Sequence, residues 1–214
     1  MSIDVAIIDY GVGNLFSVRR AFEYCGAKVL VSDDPRALLD APRIVLPGVG
    51  AFADGMRGLM ERGLNHVAAE FAVSGKPFLG ICLGMQMLAS ASEEFGEHKG
   101  LGIVPGRVAP IPATTIDGRS HKIPHIGWAA LTRPPRLSGW AGSILDGIQP
   151  GEAVYLVHSF AVRPDDDAHR LADYHYDGRV ITAAIRKDNV YGTQFHPEKS
   201  AAVGLRLLRQ FLKL

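Results

Sequence analysis

The chain has 214 residues, ample for one domain with its own core, and nothing in it forces a split, so residues 1–214 are expected to form a single domain. Its 23 basic and 22 acidic side chains are interspersed and leave a net charge of +1, which argues against an electrostatic footprint for nucleic acid. No apolar run approaches the roughly 20 residues of a membrane span, residues 1–4 carry no charged-then-apolar leader, and Cys25 and Cys82 make no disulfide framework, so a cytoplasmic protein without membrane contact is expected.

Residues 5–8, Val-Ala-Ile-Ile, read as a first buried strand. Leu15, Val18 and Phe22 then recur at helical spacing, and Gly26 stops the helix. Between them Gly11 and Gly13 make half of a dinucleotide fingerprint, but Phe16 stands where the third glycine belongs, so nucleotide binding there is rejected. Residues 28–32 form a second strand and lead into a polar turn at Asp33-Asp34-Pro35. The third strand, residues 43–46, breaks into Pro47-Gly48-Val49-Gly50-Ala51-Phe52-Ala53, followed by a helix carrying Met56, Leu59, Met60 and Leu64. That loop loosely matches G-x-G-x-x-A. A dinucleotide site wants an acid at the end of the next strand, and the next strand here ends in Cys82.

Residues 77–81, Pro-Phe-Leu-Gly-Ile, are a short apolar run after the turn signal Ser74-Gly75, the profile of a buried parallel strand. Cys82 follows, and Leu83 to Ala89 favours helix. The cysteine therefore lies on a sharp strand-to-helix turn between Gly80 and Gly84, where side chains would crowd the backbone. This is the glycine-x-nucleophile-x-glycine elbow with Cys in place of Ser. It holds the sulfur out at the carboxyl end of the sheet, the helix N-terminus behind it favours the thiolate, and the Leu83 amide points where an oxyanion would develop. A lone cysteine is more often a small buried hydrophobe. Cys25, beside Gly26 at a helix end, is read that way, whereas the G-I-C-L-G setting of Cys82 points to a nucleophile.

A thiol nucleophile needs a base, and the base needs an orienting group. His196-Pro197-Glu198 supplies both: His196 takes the thiol proton and gives it to the leaving amine, Glu198 holds the imidazole tautomer, and Pro197 limits their relative geometry. Up to Cys82 the order is strand, helix, strand, strand, helix, strand, which means parallel α/β packing. Residues 93–100 read as a surface loop. Short strand-like runs then dominate: 106–111, 125–131, 153–160, a hairpin around Asp177-Gly178, and 181–185 paired with 190–195 across Lys187-Asp188-Asn189. The expected fold is therefore α/β, with a mostly parallel central sheet flanked by helices and a more antiparallel C-terminal half that returns His196 to Cys82. Ser200 is expected to cap a last helix with Val203, Leu207, Leu208 and Phe211 on one face. His121 and His125 are four apart, but Pro124 disfavours the helix that would align them and no cluster completes a tetrahedral set; no metal or other cofactor is expected. Asp165-Asp166-Asp167 reads as a solvated loop.

Gly80-Ile81-Cys82-Leu83-Gly84-Met85-Gln86 together with His196-Pro197-Glu198 resembles the class I glutamine amidotransferases. Five stretches narrow the resemblance to the glutaminase subunits of imidazole glycerol phosphate synthase, a histidine-pathway enzyme: residues 9–14, 46–50, 122–128, 155–160 and 194–200. The resemblance runs in order through nearly the whole chain. It implies the class I amidotransferase fold and hydrolysis of glutamine to glutamate and ammonia through a cysteine thioester, with Cys82, His196 and Glu198 as the catalytic triad. It places the oxyanion site at Val49 and Gly50, on a strand whose peptide needs reorientation, together with Leu83. Glutamine contacts fall to Gly48, Gln86, Ser159 and Phe160. It also implies a partner: a barrel-shaped cyclase subunit of the HisF type, which takes the ammonia and makes imidazole glycerol phosphate and AICAR from PRFAR. Asn14, Trp128, Tyr155 and Lys199 match positions near that interface. Ala129 stands where the family commonly has Asn, and Phe160 where Tyr is common. The alternative is a glutaminase subunit of another pathway, such as pyridoxal phosphate synthase, or a general cysteine hydrolase. The Pro47–Gly50 and Pro124–Trp128 stretches count against it by resemblance alone.

Overall fold

The computed structural model describes residues 3–214, so Met1 and Ser2, half of the stretch read as lacking a leader, lie outside the described residues. In chain order the first half runs Val5–Ile8 (β1), Leu15–Tyr24 (α1), Val29–Ser32 (β2), Pro35–Asp40 (α2), Ile44–Gly48 (β3), Phe52–Glu61 (α3), Leu64–Val73 (α4), Phe78–Cys82 (β4) and Leu83–Met87 (α5). The second half continues with Ala89–Ser92 (β5), His98–Lys99 (β6), Val104–Pro110 (β7), His125–Thr132 (β8), Ala153–His158 (β9) and Phe160–Pro164 (β10). Arg170–Tyr176 (β11), Arg179–Lys187 (β12), Val190–Thr193 (β13) and Ala201–Phe211 (α6) complete it.

The main sheet has the order β2-β1-β3-β4-β13-β12-β11-β8-β9. From β2 to β13 neighbouring strands are parallel, and from β13 onward they are antiparallel. A smaller sheet, β10-β7-β5-β6, stands beside it. Strands β1, β3 and β4 are buried along their whole length, which explains why they read as continuous apolar runs. Their side chains still alternate between two cores. Val5, Ile7, Val45, Leu79 and Ile81 pack toward α1 and α6, where the Phe22 and Phe211 rings lie 6.1 Å apart. Ala6, Ile8, Ile44, Leu46 and Phe78 pack toward α2, α3 and α4, where Phe71 meets Phe78 edge-on at 6.3 Å. The hairpin between β11 and β12 turns on two residues, Asp177 and Gly178, both with positive φ as a tight hairpin requires.

Several local expectations give way to tertiary or capping effects. The polar turn at 33–35 opens a short helix, α2: Asp34 Oδ1 accepts from the Arg36 amide at 3.1 Å, and Pro35 supplies a pre-set φ in the first turn. The helix expected through Leu64 breaks at Gly63. Met60 is consequently exposed, and a further helix, α4, buries Leu64, Val67, Ala68 and Phe71. The elbow helix stops at Met87 because Ala89–Ser92 pairs with β7 and β6 instead. The run 153–160 is two strands that part at Ser159, β9 pairing with β8 and β10 with β7 in the other sheet. Ser200 precedes α6 without capping it by its side chain. Its Oγ donates to the His196 carbonyl at 2.7 Å and accepts from the Tyr155 amide at 3.0 Å.

Candidate active site

Three chain segments meet where the parallel strands end. Gly48 pairs with Cys82 across β3 and β4, and Thr193 of β13 pairs with Ile81 on the other side of β4. The residues that follow each strand, Val49–Gly50, Leu83 and Gln194 to His196, are thereby brought to one crevice at the carboxyl edge of the sheet, the usual position for a site in a parallel α/β fold.

The turn at Cys82 has φ 54° and ψ −112°, a conformation rare for any residue with a side chain. Its neighbours make room for it. A Cβ on Gly80 would lie 2.8 Å from the Gly84 carbonyl oxygen and the Met85 nitrogen, and one on Gly84 would run into the Leu46 carbonyl. The elbow expected from the sequence is present, and the backbone strain is concentrated on the sulfur-bearing residue.

A cavity of about 310 Å³ opens beside the sulfur, at the small end of the roughly 300–1,000 Å³ typical of small-molecule sites. Cys82 and His196 line it, together with Val49, Gly50 and Leu83 of the expected oxyanion site and Gln86, Ser159 and Phe160 of the expected glutamine contacts. Gly48 lies just behind, where a Cβ would sit 2.6 Å from the Tyr10 hydroxyl. Glu198 stands on the far side of His196, its Oε1 accepting from Nδ1 at 2.9 Å, with both side chains buried. Burial by itself lowers the affinity of the imidazole for a proton. The Cys82 sulfur and the Glu198 carboxylate outweigh burial and hold its pKa up to about 10, so the ring is disposed to carry a proton. The His196 backbone is clamped as well, its amide donating to the Tyr155 carbonyl at 3.0 Å and its carbonyl accepting from Ser200.

Sequence reasoning passed over several residues that shape this cavity. Tyr10 is fully buried and donates to the Pro47 carbonyl at 2.9 Å, bracing the strand end that leads to Val49. Burial, with the Cys82 sulfur nearby, raises its pKa, so it remains a donor. Glu94, in the stretch read as a surface loop, lines the cavity and accepts from the Phe52 amide at 2.6 Å, tying its own loop to the head of α3. Gln194 donates to the Cys82 sulfur at 3.8 Å and accepts from Gln86 at 3.1 Å. Its sequence signal was its place two residues before His196, at the head of the 194–200 stretch that carries the family resemblance. His158 also lines the cavity, adjacent to the singled-out Ser159.

The four residues matched to a partner interface fall into separate settings. Trp128 and Tyr155 face each other across β8 and β9, with ring centroids 6.0 Å apart, and Trp128 is 54 % exposed. Lys199 is exposed in the short 3-10 helix Pro197–Lys199 that carries Glu198. Asn14 caps α1, its side-chain oxygen accepting from the Ser17 amide at 3.4 Å. Among the described residues no group of three or more His, Cys, Asp or Glu is placed to hold a metal ion, and no helix is long and apolar enough to cross a membrane.

A strained cysteine elbow beside a histidine–glutamate pair, at the end of a parallel sheet, is the arrangement of a cysteine nucleophile with its base. Residues 6–214 match the family Glutamine amidotransferase class-I, and the chain belongs to that family. It is 52 % identical over 210 residues to the imidazole glycerol phosphate synthase subunit HisH 1 of Legionella pneumophila (strain Lens), covering 98 % of this chain and 99 % of the relative. To the HisH subunit of Syntrophotalea carbinolica it is 47 % identical over 210 residues, covering 97 % of this chain and 98 % of that one. A crystal structure of a glutamine amidotransferase superposes with a TM-score of 0.73 over 98 % of this chain and 97 % of its own, at 17 % identity, a likeness of fold.

Proposed function

We propose that this chain is the glutaminase subunit of an imidazole glycerol phosphate synthase, working as a single amidotransferase domain in the cytoplasm. The observation that carries the reading is the His196–Glu198 pair at 2.9 Å beside the strained Cys82, with both Cys82 and His196 facing one cavity. The two cysteines are free, as suits a reducing compartment.

Glutamine enters with its side-chain carboxamide against the sulfur. The Cys82 thiolate attacks the carboxamide carbon, and the oxyanion is met by the amide of Leu83 and by an amide of the Val49–Gly50 loop. His196 gives its proton to the departing nitrogen, releasing ammonia and leaving a γ-glutamyl thioester on Cys82. Water then attacks the thioester with His196 as base, and glutamate leaves as the thiol is restored. Glu198 keeps the imidazole turned to the sulfur throughout. Glu94 suits the α-ammonium group of the substrate, while Gln86, Gly48 and the Ser159–Phe160 backbone frame the rest.

Free ammonia in water at neutral pH is largely ammonium and a poor nucleophile, so its use favours direct delivery to a second subunit. The partner is a cyclase of the HisF type, seated against Asn14, Trp128, Tyr155 and Lys199, which makes imidazole glycerol phosphate and AICAR from PRFAR. The test is glutamate release from glutamine by the purified chain alone and with a candidate cyclase plus its nucleotide ligand. Weak release alone and a large rise with both is expected. High release indifferent to the cyclase keeps the triad and overturns the assignment to this synthase.

A further inference from the structure

Along and behind the cavity wall lies a row of buried polar groups, of which the reaction steps above use only Gln86 and the Phe160 backbone. The Phe160 carbonyl accepts two hydrogen bonds, from His158 Nδ1 at 2.8 Å and from Gln86 Nε2 at 3.0 Å. A carbonyl only accepts, so His158 must carry its proton on Nδ1 and present a bare Nε2. The Tyr174 hydroxyl, 2.9 Å from that nitrogen, must then be the donor. The hydroxyl oxygen in turn accepts from His125 Nδ1 at 3.2 Å. His158, Tyr174 and His125 are all buried, and burial pushes the pKa of His158 down to about 4, which keeps it neutral.

The same carbonyl sets the other half of the row. With one amide proton of Gln86 on Phe160 and the other on Gln194 Oε1, the Gln86 oxygen is left as an acceptor for whatever fills the cavity, and Gln194 is turned so that its NH₂ group meets the Cys82 sulfur. His158 ends β9 and Phe160 begins β10, so the bond between them also spans the bend at which the chain leaves one sheet for the other. The bend residues Ser159 and Phe160 are cavity wall.

We infer that His158 is a positioning residue for glutamine recognition: held by Tyr174 and His125, it fixes the Phe160 carbonyl, and through it the polarity of the Gln86 amide that meets the substrate. The inference rests on the glutaminase reading above. It assigns His158 no contact with the reacting atoms, so its loss is felt in binding of glutamine more than in the chemical step.

The experiment is steady-state glutamate release by the full chain in complex with its cyclase partner, comparing wild type with His158→Leu, His158→Asn and Tyr174→Phe. Asn places an amide N–H near the position of Nδ1, so it can keep the bond to Phe160, whereas Leu cannot. A hydrogen bond of this kind corresponds to a change of about 5- to 50-fold. His158→Leu is expected to raise KM by that factor with kcat within about threefold of wild type, His158→Asn to recover most of the loss, and Tyr174→Phe to raise KM by a few-fold. Equal impairment of the Leu and Asn variants, or a fall in kcat at unchanged KM, overturns the positioning role. If His158→Leu does not fold, Tyr174→Phe decides alone, and an unchanged KM there overturns the inference. A wild-type complex that releases no glutamate defeats the glutaminase reading itself, and this inference with it.

Discussion

Gly84 stands so close to Leu46 that a Cβ on the glycine would occupy the space of the Leu46 carbonyl. The helix after Cys82 is thereby pressed against β3, the strand that leads into the proposed oxyanion loop. Gly84→Ala is expected to force the two apart and lower unfolding stability by about 1–3 kcal/mol. Gly139→Ala serves as the comparison, since a Cβ there meets open space. Chemical denaturation midpoints measure both, and a Gly84→Ala midpoint matching that of Gly139→Ala would contradict the close approach.

Cys82→Ala should abolish glutamine-dependent turnover in the complex and leave turnover with added ammonium salts intact. Loss of both activities would count against the division of labour between the subunits. The φ of 54° adds a second expectation. Cys82→Gly removes the same sulfur but relieves the backbone, and it should be more stable than Cys82→Ala by about 1 kcal/mol. The reverse order would show that the turn is not strained.

The raised pKa of His196 links stability to pH. Its value of about 10 in the fold lies above the roughly 6.5 of an unfolded histidine. The folded chain therefore holds the proton more tightly, and the associated stability is complete below about 6.5 and lost as the pH rises through about 10. Measured against His196→Asn in urea titrations, the wild type should hold an advantage near pH 6 that shrinks toward pH 10. An advantage that stays constant over this range would mean that the ring is neutral in the fold.

Ser200 clamps the backbone of His196, the proposed base. Its hydroxyl bridges the His196 carbonyl and the Tyr155 amide, so Ser200→Ala strands the Tyr155 donor and leaves the His196 carbonyl with the Lys199 amide alone. The expected cost is about 1–3 kcal/mol of stability, accompanied by a lower kcat as the imidazole loses its fixed position. Thermal melts and glutamate release read the two effects, and a variant equal to wild type in both would show the clamp to be idle.

Trp128→Ala tests the partner face. The ring is more than half exposed, and its removal should change stability by less than about 1 kcal/mol. As the aromatic anchor of an interface it should weaken association with the cyclase subunit by about 2 kcal/mol, some thirtyfold in Kd. Titration calorimetry on the purified subunits gives the number, and unaltered affinity would remove Trp128 from the interface.

Much of this was legible in the chain because its strongest signals are local. The apolar run 77–81 closed by G-I-C-L-G gave both strand and elbow, and Asp177-Gly178 gave its hairpin, since each depends on the φ that neighbouring residues permit. Motif order along the chain pointed to the family, and the family match over residues 6–214 agrees. What escaped was set at a distance. Glu94 looked like loop polarity because its partner, the Phe52 amide, is 42 positions away. Tyr174 carried no local signal, because it is β8 and β9 that bring His125 and His158 to its hydroxyl. The end of the elbow helix at Met87 was decided by the pairing of Ala89 with Val104, not by the helix propensity of the residues themselves.

The position of β13, inserted between β4 and β12, carries a consequence for how the protein comes into being. The strand that closes the middle of the main sheet also leads into the proposed base, and it is synthesised only after β5 to β12. A nascent chain can lay down β1 to β4 and expose a reactive sulfur, yet it has neither a continuous sheet nor a proton acceptor until residues 190–198 arrive. Architectural completion and chemical competence therefore coincide, and a truncated translation product, however well its first half folds, has no means of wasting glutamine.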